Sequence, residues 1–232
     1  KKMKILIKYI LIILSIILKK VIFNKHFKKS ELSLVNLGCG LHCLPKWVNV
    51  DGSLTSLLST KYTFANKFIY RLAGASSYYE FKDYNRIVVD NKLHWYNLSD
   101  GVPFYENSID IVYTSHFLEH LNKDDGYKFL ENIYNSLKEG GMLRVVVPDL
   151  DIAIQRFNNN EIDSTQDLFF YTSNDNDFSM HKYNYNFSTL RNKLDQIGFK
   201  DIVKMKYREG KCPDIDYLDL YPDHSLYIEA YK

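Results

Sequence analysis

Two groups of residues in this 232-residue chain have the types and spacing to do chemistry. The first is Leu34-Val35-Asn36-Leu37-Gly38-Cys39-Gly40, followed by Trp47-Val48-Asn49-Val50-Asp51. An apolar run ends in a Gly-x-Gly turn, and a second apolar run ends in an acid. The pattern predicts a buried strand, a glycine turn, a short crossover limited by Pro45 and a second parallel strand. Glycines let a ligand approach the backbone closely, and an acid ending the next strand is placed to accept hydrogen bonds from a ribose diol. A lone Gly-x-Gly is equally consistent with a plain turn. The second group is Ser115-His116 with Glu119-His120. His116-x-x-Glu119-His120 fits an H-x-x-E-H zinc pattern, but no distant third ligand is evident, so no metal is expected.

These residues need a scaffold. Ser108 to Ser115 reads as a strand rich in β-branched residues. Phe129, Leu130, Ile133, Tyr134 and Leu137 follow a helical period, with Asn122 or Asp124 as cap and Gly140-Gly141 as stop. Met142 to Val147 is a central strand closed by Pro148 and Asp149. Strand, helix and strand at this spacing form a βαβ unit, so the sheet is largely parallel. Ser188 caps a helix carrying Leu190, Leu194 and Ile197, which stops at Gly198. Ile202 to Tyr207 and Ser225 to Tyr231 read as a final antiparallel pair. Ile87 to Asp90 and Leu93 to Leu98 are short strand candidates. Residues 52–86 suggest an insertion of short helices broken near Gly74, covering one edge of the sheet. Residues 151–180 lack periodicity, and 151–185 reads as a lid or substrate region.

The charge is unevenly placed. The net charge of +2 combines 30 basic and 28 acidic residues, and residues 1–30 hold nine lysines and no acid. The rest of the chain is therefore acidic, which argues against a nucleic-acid substrate. Residues 1–30 read as a basic apolar helix and linker, followed by one domain over 31–232. In residues 1–23 the apolar run is too short for the roughly 20 residues of a span. Lys4, Lys8, Ser15 and Lys19 fall on one face, which suggests a helix lying on an anionic membrane. Packing on the domain, a dimer contact and a signal anchor are the open alternatives. Cys39, Cys43 and Cys212 make no paired framework and read as reduced thiols of a cytoplasmic protein, peripheral to a membrane if the head binds one.

In order along the chain, four blocks resemble class I S-adenosylmethionine-dependent methyltransferases. They are Val35 to Gly40, Val48 to Asp51, Ile109 to His120 with its Leu118-Glu119-His120, and Leu137-Lys138-Glu139-Gly140-Gly141-Met142-Leu143. Ser225 to Ala230 and His181 to Tyr185 also resemble a subgroup linked to surface-polysaccharide synthesis. The resemblance implies an α/β, Rossmann-like, three-layer fold. Its sheet would have seven strands, mostly parallel, with an antiparallel C-terminal pair. It implies S-adenosyl-L-methionine as cofactor, held by Asn36, Gly38, Cys39, Gly40, Asp51, Gly52, Asn97, Leu98 and Ser115. The chain departs from the family at Asn36 and Asn97, where acids are usual; an amide cannot pair with the sulfonium charge.

The implied reaction is methylation of a sugar or glycan hydroxyl, or of a small polar precursor. In-line transfer depends on holding two reactants in register. A base near the acceptor oxygen adds about 10²–10⁴, and imidazole titrates in the right range. His181 is the first candidate, followed by His116 and Asp149; Tyr171, Phe178, Tyr183 and Tyr185 are candidates to stack on a sugar. Two rival readings are a non-catalytic binding module of the same fold and a nicotinamide-type oxidoreductase. The oxidoreductase reading fails at Cys43, where a third glycine is needed.

Overall fold

The computed structural model describes residues 32–59, 61–170 and 180–232. The head at residues 1–23, and Tyr171 and Phe178, lie outside the described residues. The strands are β1 (Leu34–Leu37), β2 (Val48–Asp51), β3 (Leu93–Trp95), β4 (Ile109–Ser115), β5 (Leu137–Pro148), β6 (Lys200–Met205) and β7 (Ser225–Tyr231). They form one sheet in the order β3-β2-β1-β4-β5-β7-β6. The first five are parallel, while β7 runs antiparallel to both β5 and β6. This is the expected α/β, Rossmann-like arrangement with its antiparallel pair at one end.

The helices are α1 (Leu54–Leu58), α2 (Thr63–Leu72), α3 (Phe81–Asp90), α4 (Lys123–Ser136), α5 (Leu150–Asn158), α6 (Ile162–Phe170), α7 (Phe187–Ile197) and α8 (Ile215–Leu218). Side chains alternate across a strand, so β5 feeds two cores. Leu143, Val145 and Val147 pack with Phe129, Leu130 and Ile133 of α4 and with Leu190 and Leu194 of α7. Met142 and Val146 pack on the other face with Trp47, Tyr113, Ile215 and Leu218. A third cluster, built on Ala75, Tyr84 and Val88, covers the β3 edge.

Several local expectations are corrected. Ile87 to Asp90 is the end of α3, not a strand: Tyr84 and Val88 are buried one turn apart, and that face outweighs the β-branched run. The strand at Leu93 stops at Trp95, because Asn97 caps a short 3-10 turn, Leu98–Asp100, by accepting the Ser99 N–H. Residues 150–170 form α5 and α6, amphipathic helices with few buried positions, so their sequence shows little periodicity. Asn186, not Ser188, caps α7, in a reciprocal box with Thr189. Gly140-Gly141 does not end α4. The helix stops at Ser136, and the glycines lie in a bulge of β5, where the pairing jumps from Ile109–Leu137 to Ile111–Met142. Gly140 has φ +73°, and a Cβ on Gly141 would meet Lys138 O at 2.7 Å. The last pair begins with β6 at Lys200 rather than Ile202. Gly74, with φ +73°, does break the helical stretch as expected.

Candidate active site

The carboxyl ends of β1, β2 and β4 meet where open α/β sheets bind ligands. At the end of β1 the chain turns through Gly38 (φ +67°) and Gly40 (φ +52°), a conformation costly for other residues. A Cβ on Gly38 would lie 2.6 Å from the Phe117 side chain, so that position is closed. At Gly40 nothing lies within 4 Å of where a Cβ would sit, so that side of the turn is open to a ligand. Asp51 braces the loop: Oδ2 accepts the Gly40 N–H at 3.0 Å and Oδ1 accepts the Ser53 N–H at 2.7 Å. Each carboxylate oxygen retains a second lone pair for a hydroxyl. Asn36 is buried and donates through Nδ2 to His42 O at 3.0 Å, which pins the far side of the same loop. Burial and the neighbouring Cys43 push the Cys39 thiol up, and all three cysteines are free.

These elements open onto a groove of about 180 Å³, lined by Asn36, Gly38, Cys39, Gly40, Tyr113, Ser115 and His116 and closed by Tyr79, Leu220 and Tyr221. The Ser115 hydroxyl is buried in the wall of the groove beside Tyr113. Gly52 packs against the backbone of Tyr96 and Asn97, which places Asn97 and Leu98 beside Asp51 and outside the groove lining. A larger hollow of about 530 Å³ between the Leu98–Asp100 turn and α4 contains none of the predicted site residues.

His116 follows β4 with φ +50°. Its Nε2 is 2.9 Å from Ser225 Oγ, its Nδ1 is 3.3 Å from Glu119 Oε1, and its ring meets Tyr221 edge-on. Glu119 is fully buried. Burial pushes its carboxyl up, but His116, followed by His120 and His181, outweighs burial and holds it below the usual range. His181 lies behind Glu119, with Nδ1 2.8 Å from Leu168 O and Nε2 4.0 Å from Glu119 Oε1. Burial lowers the His181 imidazole, partly opposed by Glu119. Asp149 is buried and engaged on both oxygens: it accepts the Asp151 N–H, capping α5, and pairs with Lys204 at 3.0 Å. Tyr183 and Tyr185 meet edge-on, and Tyr185 is buried in the core.

The structure thus brings Asn36, Gly38, Cys39, Gly40, Ser115 and His116 to one groove, with Asp51 behind the turn, and sets Asp149 and His181 away from it. Sequence reading missed Tyr79, Leu220 and Tyr221, which come from loops with no motif. It also leaves Glu119 without a part in the site, although the H-x-x-E-H spacing is an available signal.

No curated protein matches the chain. Among solved structures it is similar to a SAM-dependent methyltransferase from Archaeoglobus fulgidus, with 15% identity, TM-score 0.47, and 87% of this chain and 86% of that one covered. It is also similar to a SAM-dependent methyltransferase from Methanosarcina mazei, with 14% identity, TM-score 0.46, and 91% and 96% covered. A third similar structure is PigF with SAH, with 12% identity and TM-score 0.46; 86% of this chain covers 50% of that protein. These likenesses are distant, and the fold rests on the strand order and register themselves. In sequence, the family described as a methyltransferase domain matches this chain over residues 64–145, from α2 to the middle of β5.

Proposed function

We propose that the chain is an S-adenosylmethionine-dependent methyltransferase acting on a hydroxyl of a sugar, a glycan or a small polar precursor. One observation carries the reading. The open side of Gly40, the Ser115 hydroxyl and His116 line a single groove at the carboxyl ends of the parallel strands. The residues fit the cofactor: Asp51 holds the ribose, the glycine turn passes the methionine portion, and Asn97 with Leu98 flanks the base. When bound, the cofactor supplies an electrophilic methyl on a sulfonium. Asn36 contributes an amide, not a counter-charge, so affinity rests on the backbone and Asp51.

Of the three base candidates, His116 is the one in the groove lining. A proton on Nδ1 facing Glu119 leaves Nε2 as the lone pair, which Ser225 Oγ now meets at 2.9 Å. There the acceptor hydroxyl would take the place of Ser225 and give its proton to His116 Nε2. Removing that base slows transfer by roughly 10²–10⁴. The test is calorimetry with S-adenosylhomocysteine plus mass detection of one added CH₂ on candidate sugar nucleotides and glycans. His116→Ala keeps S-adenosylhomocysteine binding and loses transfer, and Asp51→Ala loses binding. Absence of binding by the unaltered chain sinks the methyltransferase reading, and binding without transfer to any acceptor favours the binding module.

We infer further that the chain sits on the cytoplasmic face of a membrane through residues 1–23. Their nine-lysine neighbourhood supports this, and so does the exposed face of α2. Phe64 is 80% and Phe68 69% exposed, with Leu72 continuing the stripe beside Lys67 and Arg71. Among the described residues no helix is long and apolar enough to cross a membrane. Flotation with anionic liposomes, with and without residues 1–23, decides; equal flotation of both forms ends the idea.

A further inference from the structure

The cluster behind His116 carries more than the proposed reaction uses. Glu119 is fully buried, yet neither carboxylate oxygen meets a hydrogen-bond donor in good alignment among the described residues. A buried carboxylate in that state costs several kcal/mol unless something positive faces it. The groups that face it are imidazoles. The ring of His181 lies 5.1 Å from that of His120, and one ligand atom each from Glu119, His120 and His181 lies within 4.8 Å of the others.

The backbone fixes the tautomers. His181 Nδ1 is 2.8 Å from Leu168 O, and His120 Nδ1 is 3.2 Å from Met180 O. A carbonyl only accepts, so each Nδ1 carries the hydrogen and each neutral ring keeps its lone pair on Nε2. A ring nitrogen tied to a carbonyl with the other presented as a lone pair is the arrangement that orients histidine ligands. His181 Nε2 stands 4.0 Å from Glu119 Oε1, and with the imidazole neutral both atoms are acceptors. Only a proton or a cation makes that pairing favourable.

We propose that Glu119, His120 and His181 bind one divalent transition cation of the zinc class. Two imidazoles and one carboxylate suit a borderline first-row cation, whereas calcium and magnesium prefer oxygen ligands throughout. At metal–ligand distances of about 2.0–2.2 Å a tetrahedral set lies roughly 3.3 Å apart, so binding draws the three side chains slightly inward. Three protein ligands leave a fourth position open to water or to an oxygen of a bound molecule. The segments are already clamped, because Glu119 O accepts the N–H of Lys182 at 2.7 Å and of Tyr183 at 3.2 Å. The cation would complete a tie between the turn after β4 and the segment leading to α7. It stands apart from the identity of the methyl acceptor, and its test needs no turnover.

The test uses the full chain without a histidine tag, stripped with a chelator and titrated with Co²⁺, then with Zn²⁺. Visible cobalt absorption of tetrahedral intensity, saturating at about one ion per chain and displaced by zinc, is the expected result. Glu119→Gln and His181→Gln, each checked for folding by circular dichroism, weaken cobalt binding at least about tenfold, in line with the cost of disturbing a metal site. His94→Ala, in β3 away from the cluster, leaves it unchanged. Absence of the cobalt band in the unaltered chain overturns the proposal and assigns the gap to a proton. Equal binding by a folded Glu119→Gln or His181→Gln variant overturns it as well.

Discussion

Two buried charge clusters, one around Arg144 of β5 and one around Glu119 in the turn after β4, are built differently. Around Arg144 every guanidinium nitrogen and every carboxylate oxygen has a partner. Its Nε and Nη2 donate to the two oxygens of Asp219 at 3.0 and 2.5 Å, and Nη1 donates to Glu229 Oε1 at 2.9 Å and to Glu209 O at 3.0 Å. The carboxylates also take backbone donors: Asp219 from Arg208, and Glu229 from Lys211 and Cys212. Around Glu119 the carboxylate is as deeply buried but meets three imidazoles at longer range and no aligned donor. A closed network of this kind fixes where β5, β7 and the 208–219 loop sit. An open one, next to a groove, is a place where something outside the chain is to be accommodated.

The same chemical change should therefore have opposite consequences in the two places. Glu229→Gln puts an amide NH₂ where a carboxylate oxygen accepts backbone N–H groups and leaves part of the Arg144 charge unanswered. Breaking one partner of a buried ion pair costs about 3–5 kcal/mol. Urea unfolding of the variant should show a loss in that range. A loss below 1 kcal/mol would mean that the cluster is far less constrained than its geometry suggests.

Gly210 tests how tightly that network is closed. Its φ is +143°, and an added Cβ would collide with Glu229 Oε1 and with Arg144 Nη1, the latter at 2.7 Å. Gly210→Ala combines backbone strain of about 1–3 kcal/mol with displacement of the ion pair. We expect a loss of about 2–3 kcal/mol, read from the unfolding midpoint at unchanged slope. Tolerance of the alanine would show that the 208–212 loop can shift without disturbing Arg144.

Asp214 lies between the two extremes. Burial pushes its carboxyl up, but bonds from Lys46 and Trp47 Nε1 outweigh burial and hold it below its ordinary value. A depressed folded value stabilises the fold above the unfolded pKa of about 3.9, and that contribution is lost as pH falls through the lower folded value. Because Lys46 is largely exposed, the pair is worth at most about 1 kcal/mol. Asp214→Asn should lose about that much at pH 7, and the difference should vanish once the pH falls below the depressed folded value. A gap that persists in acid would assign the effect to packing around Trp47 and not to charge.

The sequence made some of this contrast visible. Local patterns sufficed for β1 and β2, whose apolar runs end at a glycine and an acid, for β4 and β7, which are short apolar and β-branched or aromatic runs, and for Gly38, Gly40 and Asp51, which sit within one turn and its neighbouring strand. Local patterns failed where tertiary contact decided. Val88 is β-branched but shares a buried helical face with Tyr84, and α5 and α6 bury too little to show a period. The surroundings of His116 were illegible for a related reason. Ser225 is 109 residues away, and the Leu168 carbonyl that orients His181 is 13 residues back across an unpatterned stretch. Sequence spacing revealed the H-x-x-E-H motif but could not reveal that His181 comes to stand beside it.

The smallest expected effect is the most telling. In metal-free protein, Glu119→Gln removes a buried charge that no aligned donor satisfies, and Gln keeps the same shape and one acceptor oxygen. Loss of weak attraction to three imidazoles is offset by relief of the desolvation cost, so the stability should change by less than about 1 kcal/mol. The groove, by contrast, loses the group that faces His116 Nδ1, and methyl transfer should fall at least tenfold with S-adenosylhomocysteine binding unchanged. Stability and activity then separate at Glu119, while at Glu229 they fall together. A stability loss at Glu119→Gln as large as that at Glu229→Gln would place both carboxylates in the framework, and Glu119 would no longer mark the site.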